Sequence, residues 1–186
     1  MADLHLAGFA AEADRFVADL DAGIPIGVAL QAANDFVHHP DVIAAATVML
    51  AESGAIDMKA LAGRSGMSRA TLYRYYPDKT KLEAEIAGIG IDGMIRAAAT
   101  RTGPAEKFRA AAGYLVDHPG EAAAMIPFAA RVSVTVLGAT VEKITGDAAA
   151  SPLIVGIAVM AATPGRDDDD AASLRPHIEQ AAALLR

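Results

Sequence analysis

The sequence contains no cysteine and no tryptophan, and only 4 tyrosines and 5 phenylalanines among its 186 residues. Without cysteine there can be no disulfide scaffold, no thiolate zinc site and no cysteine nucleophile. Scarce aromatics set against 44 alanines argue against sheet, because alanine is the best helix former while strands favour aromatic and β-branched side chains. Long hydrophobic runs are missing too: the most apolar stretch, Leu153 to Ala162, is too short to span a membrane. The first twenty residues hold Asp3, Glu12, Asp14 and Asp19 and no basic leader region, so a secretory signal is not expected and a cytoplasmic location is. With 53% apolar and 21% charged residues, the composition is that of a globular all-α protein with a sizeable core.

Signatures of catalysis are equally lacking. No G-x-S-x-G, P-loop or H-E-x-x-H occurs, and His118 and His177 stand isolated, so the chain does not read as an enzyme. Gly88 to Gly93 satisfies G-x-G-x-x-G, but it follows a helical pattern rather than a strand, and a closely packed or flexible helix explains it better than a dinucleotide. His38-His39 could be half a metal site but reads as two solvated residues before Pro40. Asp167 to Asp170 reads as a solvated loop charge run. No cofactor and no metal are expected.

Charge is distributed unevenly. The formal net charge is −7, yet residues 55–82 carry Lys59, Arg64, Arg69, Arg74, Lys79 and Lys81 against Asp57 and Asp78, a local +4 between flanks of −7 and −4. A short basic island on an acidic body suggests one face that meets an anion.

Around it the chain divides into helices punctuated by glycine and proline. Apolar spacing predicts helices over about 6–21 and 26–37, then one over 41–53 that stops at Gly54. A long helix follows from Lys79 to about Arg101, and another runs from Pro104 to His118-Pro119. A short helix is expected over Gly120 to Met125, with Pro127 opening a longer one to about Lys143. Ser151-Pro152 reads as the cap of an apolar helix to Ala162, and Ser173 or Arg175-Pro176 as the start of the last, through Leu185.

Within the basic island, Lys59 to Tyr75 has the spacing of a helix-turn-helix. Ala62 is small where two helices must cross closely, and Gly66 supplies the positive-φ corner. Leu61, Met67, Leu72 and Tyr75 form an apolar plug, and the Ser68 hydroxyl can cap the second helix. Arg69, Ala70, Thr71, Tyr73 and Arg74 are left on the outer face, able to reach base edges and phosphates in a major groove. Tyr76-Pro77 ends that helix and Asp78 caps the next. Lys79 stands at that helix's N-terminus, where free amides, dipole and ammonium together favour a phosphate oxygen.

From Ala51 to Leu82 these residues resemble the TetR family of transcriptional regulators, most specifically in Gly66-Met67-Ser68-x-x-Thr71-Leu72-Tyr73-x-Tyr75-Tyr76-x-x-Lys79-x-x-Leu82. The resemblance covers about 41–85. It implies that Thr71, Tyr73 and Lys79 contact double-stranded DNA, that Arg69 and Arg74 are variable contacts of the helix face, and that Tyr75 lies largely in the motif's core. Tyr76 stands where the family usually has Phe. The connection after Gly54 lacks the family's usual Thr, leaving Asp57 as the cap.

The division so implied is an N-terminal helical extension (1–40), a DNA-binding head (41–85) and a helical dimerisation and ligand-binding body (86–186). The resemblance further implies a homodimer through about 151–163 and 173–185 reading a palindromic operator, and a repressor released by a small apolar effector. Met94, Phe108, Tyr114, Met125 and Phe128 are the candidate pocket residues, with plain core packing as the alternative for each. The rival reading from another class is a helical interaction module that does not bind DNA and acts through its N-terminal helices.

Overall fold

A computed structural model describes residues 39–132 and 134–185, and every regular element among them is helical. The helices are α1 (Pro40–Ser53), α2 (Met58–Arg64), α3 (Arg69–Tyr75), α4 (Lys79–Ala99), α5 (Pro104–Asp117), α6 (Pro119–Ala129), α7 (Val134–Thr145), α8 (Ala150–Ala161) and α9 (Asp168–Ala182). The two helices expected over 6–21 and 26–37 lie outside the described residues. No single described helix is long and apolar enough to cross a membrane.

The long helix α4 is the spine. It buries Leu82, Ile86, Ile91 and Met94 against α5 and α6, and α8 closes over both. Two of the glycines that cost α4 helix propensity, Gly90 and Gly93, are points where its neighbours cross closely. A Cβ on Gly93 would lie 1.9 Å from Cζ of Tyr114 on α5, and one on Gly90 would lie 3.2 Å from Cβ of Glu121 on α6. The G-x-G-x-x-G stretch is therefore a packing surface.

Helix α6 also reaches back to the first helix, where Gly120 meets the carbonyl of Thr47. The α8–α9 loop adds a second tie, with the Gly165 amide donating to the Ala51 carbonyl at 3.0 Å.

Three element boundaries differ from the sequence expectation. Pro127 does not open a helix; it falls in the last turn of α6, where only the bond back to Ala123 is lost and the helix ends two residues later. Helix α8 is not capped by Ser151. Asp147 turns the chain instead, its carboxylate accepting the Ala149 amide at 2.8 Å and its carbonyl the Ala150 amide at 3.1 Å. Pro152 then falls within the first turn, whose amides have no helical partner anyway. Helix α9 starts well before Ser173, because Asp167 accepts the Asp170 amide at 2.9 Å and the acidic run occupies the positive end of the helix dipole. That run is thus a cap and first turn rather than a loop, and Pro176 sits inside the helix on its exposed side.

Candidate nucleic-acid interface

Local chemistry fixes the geometry of α2, α3 and the start of α4. Asp57 caps α2, accepting the amides of Lys59 at 2.8 Å and Ala60 at 3.4 Å, so it takes the role left open by the missing threonine. Gly66 makes the corner with φ 67° in a left-handed conformation that a Cβ disfavours. Ser68 accepts the Thr71 amide at 3.1 Å and shares a 2.8 Å hydroxyl contact with Thr71. Asp78 accepts the amides of Thr80 at 2.8 Å and Lys81 at 3.3 Å and so starts α4.

These caps hold α3 with Leu72 fully buried, beside buried Leu61 and Ala62 and part-buried Met67. Arg69, Ala70, Tyr73 and Arg74 face outward together, Tyr73 with 47% of its surface exposed, and Thr71 is half-buried at the edge of that face. The Arg74 guanidinium leans on its neighbour, 4.8 Å over the Tyr75 ring, and donates to the Tyr75 hydroxyl at 3.0 Å. Arg64 is drawn away from the basic set by a 2.7 Å ion pair with Glu52. Lys79 keeps half its side chain in solvent, with Nζ 3.5 Å from a carboxylate oxygen of Glu83.

The deep aromatic of the motif is Tyr76, not Tyr75. Tyr75 is half-buried against the core, whereas Tyr76 is fully buried and its hydroxyl has no hydrogen-bond partner among the described residues. The backbone turns out of helix at Tyr76, carrying its ring inward just beyond the last turn of α3. Burial, reinforced by the nearby Glu85 carboxylate, pushes its phenol well above the usual tyrosine range. An unsatisfied buried hydroxyl costs stability, so Tyr76→Phe is expected to be neutral or to stabilise the fold by up to about 1 kcal/mol. Chemical denaturation checks this, and a loss of more than about 1 kcal/mol would reveal a partner for the hydroxyl.

His39 is also placed differently from expectation. It is not a solvated residue: its ring lies 4.3 Å from that of Tyr75 and 6.3 Å from that of Tyr76, and its carbonyl accepts the first amides of α1.

In the body, α4, α6, α7 and α8 line a cavity of about 300 Å³ that is almost wholly apolar. Met94, Met125 and Phe128 line it, together with Val136, Val141 and Ile154, which the sequence did not single out. Phe108 and Tyr114 do not. Phe108 is fully buried in the core on α5, and Tyr114 points to Gly93, donates to Glu121 at 2.7 Å and stacks on His118 at 3.9 Å. Burial and the Glu121 contact push the Tyr114 phenol up to about 12. The one polar lining side chain, Thr140, donates its hydroxyl to its own helix at Val136, which leaves the wall without a free donor there.

The family model described as bacterial regulatory proteins, tetR family, matches residues 42–86. That match makes the head, 45 of the 186 residues, similar to the TetR family. The match supports a DNA-binding transcriptional regulator, and regulators of this family are generally non-enzymatic. Among solved structures, a TetR transcriptional regulator from Rhodococcus sp. RHA1 is 20% identical, with 78% of this chain and 93% of that chain covered and a TM-score of 0.46. No curated protein matched. The matched residues, 42–86, take in most of α1, the whole of α2 and α3 and the first turns of α4.

Proposed function

We propose that the protein is a dimeric repressor whose head, 41–85, reads a palindromic operator and whose body, 86–186, releases it when a small apolar molecule enters the cavity. The observation that carries this reading is the outward face of α3. Arg69, Ala70, Tyr73 and Arg74 stand exposed opposite buried Leu72, beside half-exposed Lys79 at the N-terminus of α4. Set into a major groove, that face directs the α3 side chains and the edge residue Thr71 at base edges, while Lys79 and the amides of α4 meet a phosphate. Dimerisation through α8 and α9 would give two such helices about one turn of DNA apart. The apolar cavity wall favours a neutral, largely hydrocarbon effector.

The test is selection from a randomised duplex pool, with the Arg69→Ala/Tyr73→Ala variant run in parallel. A palindrome enriched by the native protein and lost by the variant supports the reading. No enrichment by folded, dimeric protein would turn attention to an interaction role for the N-terminal residues, which lie outside the described structure.

A further inference from the structure

Glu83 is a carboxylate almost removed from water, its side chain 5% exposed, and it is held by two cations from different parts of the chain. One oxygen lies 3.5 Å from Nζ of Lys79, a turn earlier on α4; the other accepts a hydrogen bond from Nη2 of Arg131 at 3.2 Å. Arg131 belongs to the α6–α7 connection, and its neighbours Ala130 and Val132 both line the cavity.

We propose that Glu83 and Arg131 are positioning residues that decide whether Lys79 is available to DNA, and that the cavity acts on the head through them. This rests on the reading of Lys79 as a phosphate contact. A buried carboxylate must keep a cation. While Arg131 supplies it, Lys79 is held only loosely, at ion-pair rather than hydrogen-bond distance and half in solvent, so it can turn to a phosphate. An occupant of the cavity that shifts residues 129–132 takes Arg131 from Glu83. The whole neutralisation then falls on Lys79, which is drawn back against α4 and lost to the DNA. Linkage makes the effect reciprocal: DNA that engages Lys79 tightens the hold of Glu83 on Arg131 and resists filling of the cavity.

The test is salt-dependent binding of the full-length protein to a duplex selected by it from a random pool. Lys79→Ala should lower the slope of log affinity against log salt by about one unit per half-site. An unchanged slope there overturns the phosphate contact and the relay together. Arg131→Gln should lower the slope similarly and weaken binding about tenfold per half-site, and adding Glu83→Gln should restore both to wild type. A mere structural staple predicts the opposite, a double variant no better than Arg131→Gln, and that result, with Lys79→Ala behaving as expected, overturns the relay alone. Glu83→Gln by itself keeps the test decisive if Arg131→Gln does not fold: it should bind at or above wild-type affinity, and a lowered slope overturns the proposal. Ala129→Phe, which places a ring in the cavity beside Arg131, should weaken binding in the native background and not with Glu83→Gln. Equal weakening in both overturns the link to the cavity.

Discussion

Gly120→Ala is expected to cost roughly 2–4 kcal/mol and to lower the thermal midpoint by about 5–10 °C, far more than an alanine normally does in a helix. The reason is the seam between α1 and α6. A Cβ at Gly120 would lie 2.2 Å from the Thr47 carbonyl oxygen and 2.8 Å from its methyl group, and the first of these is backbone, which cannot rotate aside. Either α6 withdraws from α1, opening the seam around buried Ala46 and Leu50, or the first turn of α6 deforms. Gly113→Ala is the matched control. It sits in the interior of α5 with nothing within 4 Å of the added atom, so relief of glycine's backbone entropy should stabilise the protein by up to about 1 kcal/mol. Denaturant melts of the two variants should move in opposite directions. Equal, small shifts would mean that α1 and α6 are not locked together. The seam matters to function because α6 lines the cavity at Met125 and Phe128 and abuts the head at Gly120, so a loosened seam should also weaken any effect of the cavity on DNA.

The contrast between Gly66 and Gly120 shows what a single sequence discloses. Gly66 acts within a few residues of itself: its positive φ, the Ser68 cap and the Asp78 cap all use partners no more than three positions away, so spacing alone predicts them. Gly120 is explained by Thr47, which nothing local to Gly120 announces. The same divide separates the face of α3 from the cavity. Met94, Met125 and Phe128 look no different in sequence from Phe108, and only the crossing of α4, α6, α7 and α8 decides which apolar side chains face empty space. Arg131 is the extreme case, since its partner Glu83 lies 48 positions away. Prolines misled for a related reason. Pro127, Pro152 and Pro176 each lie inside a helix: Pro152 in a first turn and Pro127 in a last turn, where little helical bonding is lost, and Pro176 on the exposed side of α9. Of the 45 residues matched by the family, the motif was legible because its signals are local; the body was legible only as helices.

On the dimer proposed above, Gly156→Glu is expected to leave the monomer fold intact while abolishing the association and, with it, about 10²-fold or more of operator affinity. Helix α8 buries Ile154, Ile157, Ala158 and Ala161 against the rest of the chain, but its other face shows solvent Pro152, Gly156 and Met160, Met160 36% exposed, and beside them Val159, which also lines the cavity, is 52% exposed. An apolar stripe of that kind on a helix of high mean apolarity is costly to leave in water, and a second copy of the same stripe is the partner that two-fold symmetry supplies. Gly156 lies at its middle with open space where a Cβ would stand, which suits close approach of another helix and leaves room for a larger side chain in the monomer. Glutamate is the better helix former by several tenths of a kcal/mol, so the isolated chain gains or holds helicity. In the dimer the same side chain would bring two carboxylates together near the symmetry axis in a desolvated contact, which neither repulsion nor burial permits. Sedimentation equilibrium and circular dichroism separate the two effects: half the native mass with an unchanged helical spectrum is the expected outcome. Retention of the native mass would move the dimer contact off this face of α8 and leave α9, whose exposed side carries Arg175, His177 and Glu179, to form it by polar contacts.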